Sequence, residues 1–243
     1  MISMFNLEGR VAIVTGGNGG IGLGMAEGLA KAGAKIALVG RNSEKNAQAV
    51  SILEKQGVEV LSIEKDITEP TSGAEIASST EERFGGIDIL INNAGLAWGM
   101  EPSHKVDIKK WERMIDTNCK GLIYITRAVL PGLIKRNKGH IINIGSVAGT
   151  YPYAGGNVYG GTKAFVKQFS LGLKSDLLGT KVKITNIEPG MADTEFSLVR
   201  FSGNKKKAND VYKKMTPLYW EDIAETILWS VNRPSHVLSL IHI

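Results

Sequence analysis

Tyr159 and Lys163 stand four residues apart in a stretch with helical periodicity, which puts them on one helix face about one turn apart. A phenol beside an ammonium group is a proton-transfer pair. Free tyrosine, with a pKa near ~10, is a poor base at neutral pH. A neighbouring cation stabilises the phenolate and is expected to lower that value. Ser146 closes the apolar run Asn143-Ile144-Gly145-Ser146 and offers a hydroxyl that can hold a substrate oxygen. The three groups together predict a centre that takes a proton from an alcohol and returns it to a carbonyl. Singly, each has a plainer reading. The Tyr–Lys pair can be an amphipathic pair, Ser146 a loop hydroxyl or cap, and Asn118, opening a helix-like stretch, an N-cap.

Such groups need a scaffold. Apolar runs rich in β-branched residues occur at 11–15, 35–39, 58–63, 87–91, 140–144 and 182–187, with a last one at 236–241. Between them lie helix-like stretches at 21–32, 43–56, 70–84, 106–116, 118–136, 158–178 and 220–231. Strands apolar at consecutive positions are expected where both sheet faces are covered. The pattern predicts an α/β chain, a single-domain Rossmann-type doubly wound parallel sheet with helices on both faces. We expect one domain over residues 1–243, with a dinucleotide-binding half at 1–150 and a catalytic and lid half at 140–243. The least regular segment, 191–215, is polar and is expected to be a lid.

The cofactor is read from the strand ends. Thr15-Gly16-Gly17-Asn18-Gly19-Gly20-Ile21-Gly22 follows the first strand and opens the first helix. Gly16 suits a tight turn, Gly20 lets the backbone approach a pyrophosphate, and Gly22 lets helix and strand pack closely. The helix N-terminus supplies free N–H groups to the phosphates. Where NAD-binding chains place an acid, the second strand here ends in Arg41-Asn42, and the first acid is Glu44. A guanidinium there can pair with a 2′-phosphate, which predicts NADP(H) over NAD(H), the alternative being a surface arginine. Asp66, with Ile67 beside it, can accept from the adenine amino group or cap the following helix. Asn92-Asn93-Ala94-Gly95 follows the fourth strand; Asn93 is the expected cofactor contact, and the asparagines can also tie strands together.

The ordered set T-G-x-x-x-G-x-G, N-N-A-G, Asn118, Ser146, Tyr-x-x-x-Lys and Pro189-Gly190 resembles the short-chain dehydrogenase/reductase superfamily over nearly the whole chain. NNAGLAWGMEPSHK, HIINIGS, YPYAGGNVYGGTKAFVKQFS and IEPGMADTEFSLVRF resemble bacterial NADP-dependent 3-hydroxy acid dehydrogenases, a group also described as L-allo-threonine dehydrogenases and malonic semialdehyde reductases. The resemblance implies a homotetramer that oxidises small 3-hydroxy acids, serine-like substrates included, and a cytoplasmic setting is expected. It also implies that Asn118 positions a water linking Lys163 to solvent, that Lys163 holds the nicotinamide ribose, and that Pro189, Gly190 and Thr194 run along the nicotinamide end. Arg200, on the lid, is the candidate partner for a substrate carboxylate, against a solvent-facing arginine. A reductase of another carbonyl (sugar, steroid or 3-oxoacyl thioester) and a non-catalytic NADP-sensing module are the rival readings. Gly160 and Gly161 depart from the superfamily's usual side chains, and a close contact is the expected reason.

Composition narrows the classes further. The chain has 243 residues, 43% hydrophobic and 22% charged, an ordinary globular balance. The net charge of +5 is scattered, so no nucleic-acid partner is expected, and Lys205-Lys206-Lys207 is a solvated run. Cys119 stands alone and is expected to be packed. No window is long and apolar enough for a membrane span, and MISMFNLEGR has no secretory pattern. The four histidines have no ligand spacing, so no metal is expected, and no G-x-S-x-G elbow is present.

Overall fold

The computed structural model describes residues 5–193, 195–213, 216–234, 237, 241 and 242. β1 (Val11–Thr15) is buried throughout, and its side chains alternate between the two sheet faces. Ala12 and Val14 enter one core with Met25, Leu29, Ile223 and Ile227. Ile13 enters the other with Ile76, Ile125, Leu133 and Leu173. A strand covered on both sides calls for crossover helices and parallel neighbours.

In chain order there follow α1 (Gly20–Lys31), β2 (Lys35–Gly40), α2 (Ser43–Glu54), β3 (Val60–Glu64), α3 (Ser72–Phe84), β4 (Ile89–Asn92) and α4 (Ile108–Ile115). Then come α5 (Leu122–Lys135), β5 (Gly139–Ile144), α6 (Asn157–Asp176), β6 (Val182–Glu188), α7 (Glu195–Arg200), α8 (Lys205–Asp210), α9 (Trp220–Val231) and β7 (Ile241–His242). The strands form one parallel sheet in the order β3-β2-β1-β4-β5-β6-β7. α1, α2 and α9 supply the first core, and α3, α5 and α6 the second. The doubly wound sheet expected from the alternation is therefore the observed architecture.

Two local expectations are corrected, and a third is only partly described. The stretches 106–116 and 118–136 are joined, because a π-helical turn, Asp116–Gly121, carries α4 directly into α5. Asn118 thus sits inside a widened turn and neither opens nor caps a helix. The segment 191–215, expected as a lid, is more regular than its polarity suggested: it holds α7 and α8, each six residues, too short to show a helical period. At the far edge only Ile241–His242 is seen as strand, paired with Ile187 and Glu188. Residues 236 and 238–240 of the expected strand lie outside the described residues.

Candidate active site

The sheet order reverses between β1 and β4, and the crevice at the carboxyl ends of the strands opens there. It holds a cavity of about 350 Å3. Gly16, Asn18, Gly20, Ile21 and Gly22 line it beside Asn93, and Pro189 and Gly190 close its far side.

The glycine turn is built for close approach. A Cβ on Gly22 would lie 2.0 Å from the Gly16 carbonyl oxygen and 2.6 Å from Asn93 Nδ2, so only hydrogen fits. Gly19 precedes α1 without a side-chain cap, and the first turn carries no acid. Free N–H groups and the positive helix end face the cavity, as an anionic ligand requires. Asn93 Nδ2 donates to the carbonyls of Thr15 (3.0 Å) and Gly16 (3.2 Å), tying β4 to this turn. Asn92 joins the strands more deeply, donating to Thr126 Oγ1 and Asn143 Oδ1, both at 2.8 Å. Asn18 donates to Asn46 Oδ1 at 2.7 Å.

Arg41 lines the end of the cavity nearest β2 and β3, together with Asp66, Ile67 and two lysines that sequence reading missed, Lys45 and Lys65. Asp66 does not cap the next helix. Its Oδ1 accepts from the N–H and hydroxyl of Thr68, and its Oδ2 lies 2.7 Å from Arg113 and 3.6 Å from Arg41. Burial raises its pKa, but the bonds from Arg113 and Thr68 outweigh that and hold it at about 2. The carboxylate stays ionised and its charge is already matched, so it does not oppose an incoming phosphate. Arg41, Lys45 and Lys65, the last paired with Glu75, together with an uncapped helix end fit a phosphorylated dinucleotide.

Ser146, Tyr159 and Lys163 line the opposite end. Ser146 follows β5; its Oγ accepts from Ala148 N at 3.1 Å, and the hydroxyl pulls the pKa of the Tyr159 phenol down. Lys163 Nζ donates to the Ile144 carbonyl at 2.7 Å and lies 5.8 Å from the Tyr159 ring centroid. Lys163 is expected to lower the phenol's pKa together with oxidised nicotinamide; in the chain by itself burial pushes Tyr159 up to about 12, and the groups pulling it down are Ser146 and the charge of Arg200. Lys163 lies over the ring. Burial also pushes Lys163 down to about 8. Asn118 is buried behind this pair; it accepts from Leu96 N (2.8 Å) and donates to Leu96 O (2.9 Å) and Thr162 Oγ1 (3.0 Å). Gly160 has the expected close neighbour, since a Cβ there would lie 2.9 Å from the Ala148 carbonyl oxygen, whereas Gly161 faces open space.

Arg200, at the end of α7, points inward. Its guanidinium carbon lies 5.2 Å from the Tyr159 ring centroid, 5.3 Å from Phe196 and 5.4 Å from Tyr153. Its Nε is buried without a hydrogen-bond partner. No carboxylate among the described residues pairs with it.

The other expected residues fall elsewhere. The Thr15 hydroxyl donates to Ile91 O and accepts from Asn93 N and Ala94 N, so it is used in joining β1 to β4. Asn42 caps α2, accepting from Lys45 N at 2.8 Å. Thr194 lies outside the described residues. Thr117, Phe196 and Val199 line the cavity without having been anticipated, because they come from elements that only folding brings together. Burial pushes the Cys119 thiol up to about 11, which disfavours its thiolate. Among the described residues no three metal-binding side chains gather, and no helix is long and apolar enough to cross a membrane.

Known proteins resemble this chain in sequence and fold. The chain matches the short chain dehydrogenase family over residues 10–204. It is 50% identical over 228 residues to the NADP-dependent 3-hydroxy acid dehydrogenase YdfG of Salmonella typhi, covering 93% of this chain and 91% of that one. It is 45% identical over 225 residues to the serine 3-dehydrogenase of Agrobacterium fabrum, covering 93% and 89%. Its fold superposes on a closed serine dehydrogenase complexed with NADP+ at a TM-score of 0.91 and 46% identity, covering 96% and 94%. With most of its length matched, the chain belongs to the short-chain dehydrogenase family.

Proposed function

We propose that this chain is an NADP-dependent oxidoreductase that transfers a hydride between the cofactor and a small 3-hydroxy acid of the serine, allo-threonine or 3-hydroxypropionate/malonic semialdehyde type. The observation that carries the reading is the stacking of the Arg200 guanidinium on the ring of Tyr159, in the cavity that Ser146 also lines. A proton-transfer group and a cation without a carboxylate partner then share one small space. Relatives named for 3-hydroxy acids and serine agree with that chemistry.

Arg41, Lys45 and Lys65 would hold the 2′-phosphate end of NADP, and the α1 N-terminus its pyrophosphate. When bound, NADP accepts or supplies the hydride and, oxidised, adds positive charge near the phenol. Ser146 holds the substrate oxygen. Tyr159 takes the hydroxyl proton in oxidation and returns it in reduction. Lys163, fixed on the Ile144 carbonyl, keeps a second cation on the ring face and would hold the ribose. Asn118 clamps Leu96, and with it the loop after β4, against α6. Arg200 takes the substrate carboxylate, which satisfies its orphan Nε–H.

The reading includes a homotetramer and a cytoplasmic setting. Exposed Ile115, Ile123 and Ile134 along α4 and α5 support an apolar subunit contact. The test is initial-rate screening with NADP+ and NAD+ against serine, allo-threonine, 3-hydroxypropionate and a bulky alcohol. We expect turnover with NADP+ on the three acids. Preference for NAD+, or for the bulky alcohol, overturns the corresponding half.

A further inference from the structure

We infer that Tyr153 is a specificity-determining residue that orients Arg200 for carboxylate-bearing substrates. This rests on the reading of Arg200 as the carboxylate anchor. Arginine is flexible, and a guanidinium selects a carboxylate well only when its planar fork is held. On the six-residue α7, the rings nearest the Arg200 guanidinium besides Tyr153 are Phe196 of the same helix (5.3 Å) and Tyr159 (5.2 Å), and Phe196 offers no oxygen to accept from it. Two contacts from Tyr153 add directional restraint. Arg200 NH2 donates to the Tyr153 hydroxyl at 2.5 Å, and the Tyr153 ring lies 5.4 Å from the guanidinium carbon. The Arg200 carbonyl also accepts from Gly99 N at 3.0 Å, which fastens the lid backbone to the loop after β4.

Tyr153 is itself immobilised. Its ring lies against Gly156, where a Cβ would come within 2.3 Å of the ring, and it packs in the same cluster as Tyr159, Ala97 and Met114. Burial keeps its phenol neutral by pushing its pKa above the ordinary value, against the pull of Arg200. A neutral phenol oxygen accepts from the guanidinium without cancelling its charge, whereas a carboxylate in this place would neutralise Arg200 and repel an acidic substrate. Tyr153 therefore holds the cation in place and leaves its charge available to the substrate.

The test compares 3-hydroxypropionate with 1,3-propanediol, which replaces the carboxylate by a neutral alcohol. The readout is the ratio of their kcat/KM values in wild type, Tyr153→Phe, Arg200→Ala and the double variant. Tyr153→Phe keeps the ring on Gly156 and removes only the hydroxyl. We expect it to lower the acid-to-diol ratio about tenfold, on the scale of a lost hydrogen bond to a charged group. The loss is expected mainly in KM for the acid, with a much smaller change in kcat. In the double variant Tyr153→Phe is expected to add nothing to Arg200→Ala. If Arg200→Ala lowers the ratio and Tyr153→Phe does not, or if the two effects add fully, the role of Tyr153 is overturned and that of Arg200 stands. If Arg200→Ala leaves the ratio unchanged, the carboxylate anchor itself is overturned.

Discussion

Tyr159 feels opposing influences whose sum decides its protonation. Burial favours the neutral phenol, while the Ser146 hydrogen bond and the Arg200 charge favour phenolate. Oxidation needs the phenolate, so kcat/KM for alcohol oxidation is expected to rise with pH. Removing a cation that pulls the phenol down moves that rise to higher pH. For 1,3-propanediol, which has no carboxylate to engage Arg200, Arg200→Ala is therefore expected to shift the limb upward; a pH profile that stays in place would remove Arg200 from the electrostatics of the phenol. Tyr159→Phe is expected to cost on the order of 100- to 10,000-fold in turnover, the usual range for a lost general base. Fluorescence titration of the same variant should still find tight NADPH binding. Turnover near wild type would exclude Tyr159 as the base.

At the scale of elements, α6 carries both halves of the catalytic pair, so its seating against the Ser146 turn matters more than its own stability. Gly160 and Gly161 separate the two effects. Each glycine to alanine change favours helix by roughly 0.4–1 kcal/mol. At Gly161 the new methyl meets open space, so Gly161→Ala is expected to raise the unfolding midpoint with little effect on rate. At Gly160 the methyl would sit 2.9 Å from the Ala148 carbonyl oxygen, two residues after Ser146. Gly160→Ala is expected to displace that turn and lower kcat severalfold. Equal kinetics in the two variants would show that the seating is slack. The π-helical turn belongs to this scale too, because widening one turn lets Asn118 reach Leu96 while α4 and α5 remain one continuous support.

Over the whole molecule, the chemistry gathers at the carboxyl ends of the strands, and a buried histidine lies toward their other end. His140, near the start of β5, is fully buried, with Nε2 2.8 Å from Thr185 Oγ1 and Nδ1 unpartnered. Burial, assisted by the charge of Lys183, lowers its pKa from 6.5 to about 3. Between those values the unfolded chain binds a proton that the folded chain does not. Stability is therefore expected to be intact above about pH 6.5 and to fall on acidification toward pH 3. The slope is about 1.4 kcal/mol per pH unit from this one group. Asp66, with a folded value of about 2 against 3.8, adds a second loss only below pH 3.8. Urea unfolding from pH 7 to 4 checks the histidine contribution: His140→Gln should flatten the dependence, and an unchanged slope would assign it to other groups.

Consecutive residues carried the legible part of this protein. The i, i+4 spacing of Tyr159 and Lys163, the glycine turn after β1 and the missing acid at Arg41 are all encoded within a few positions, because helix period and backbone sterics act locally. The alternation of apolar runs and amphipathic stretches likewise determined the doubly wound sheet. Tertiary structure alone decided the rest. Lys45 and Lys65 join Arg41 from separate elements, and Tyr153, Tyr159 and Phe196 meet around Arg200 only in the finished fold. The direction of the Tyr159 pKa was also beyond local reading: spacing brings a lysine near, but desolvation depends on how completely the finished fold removes the phenol from water.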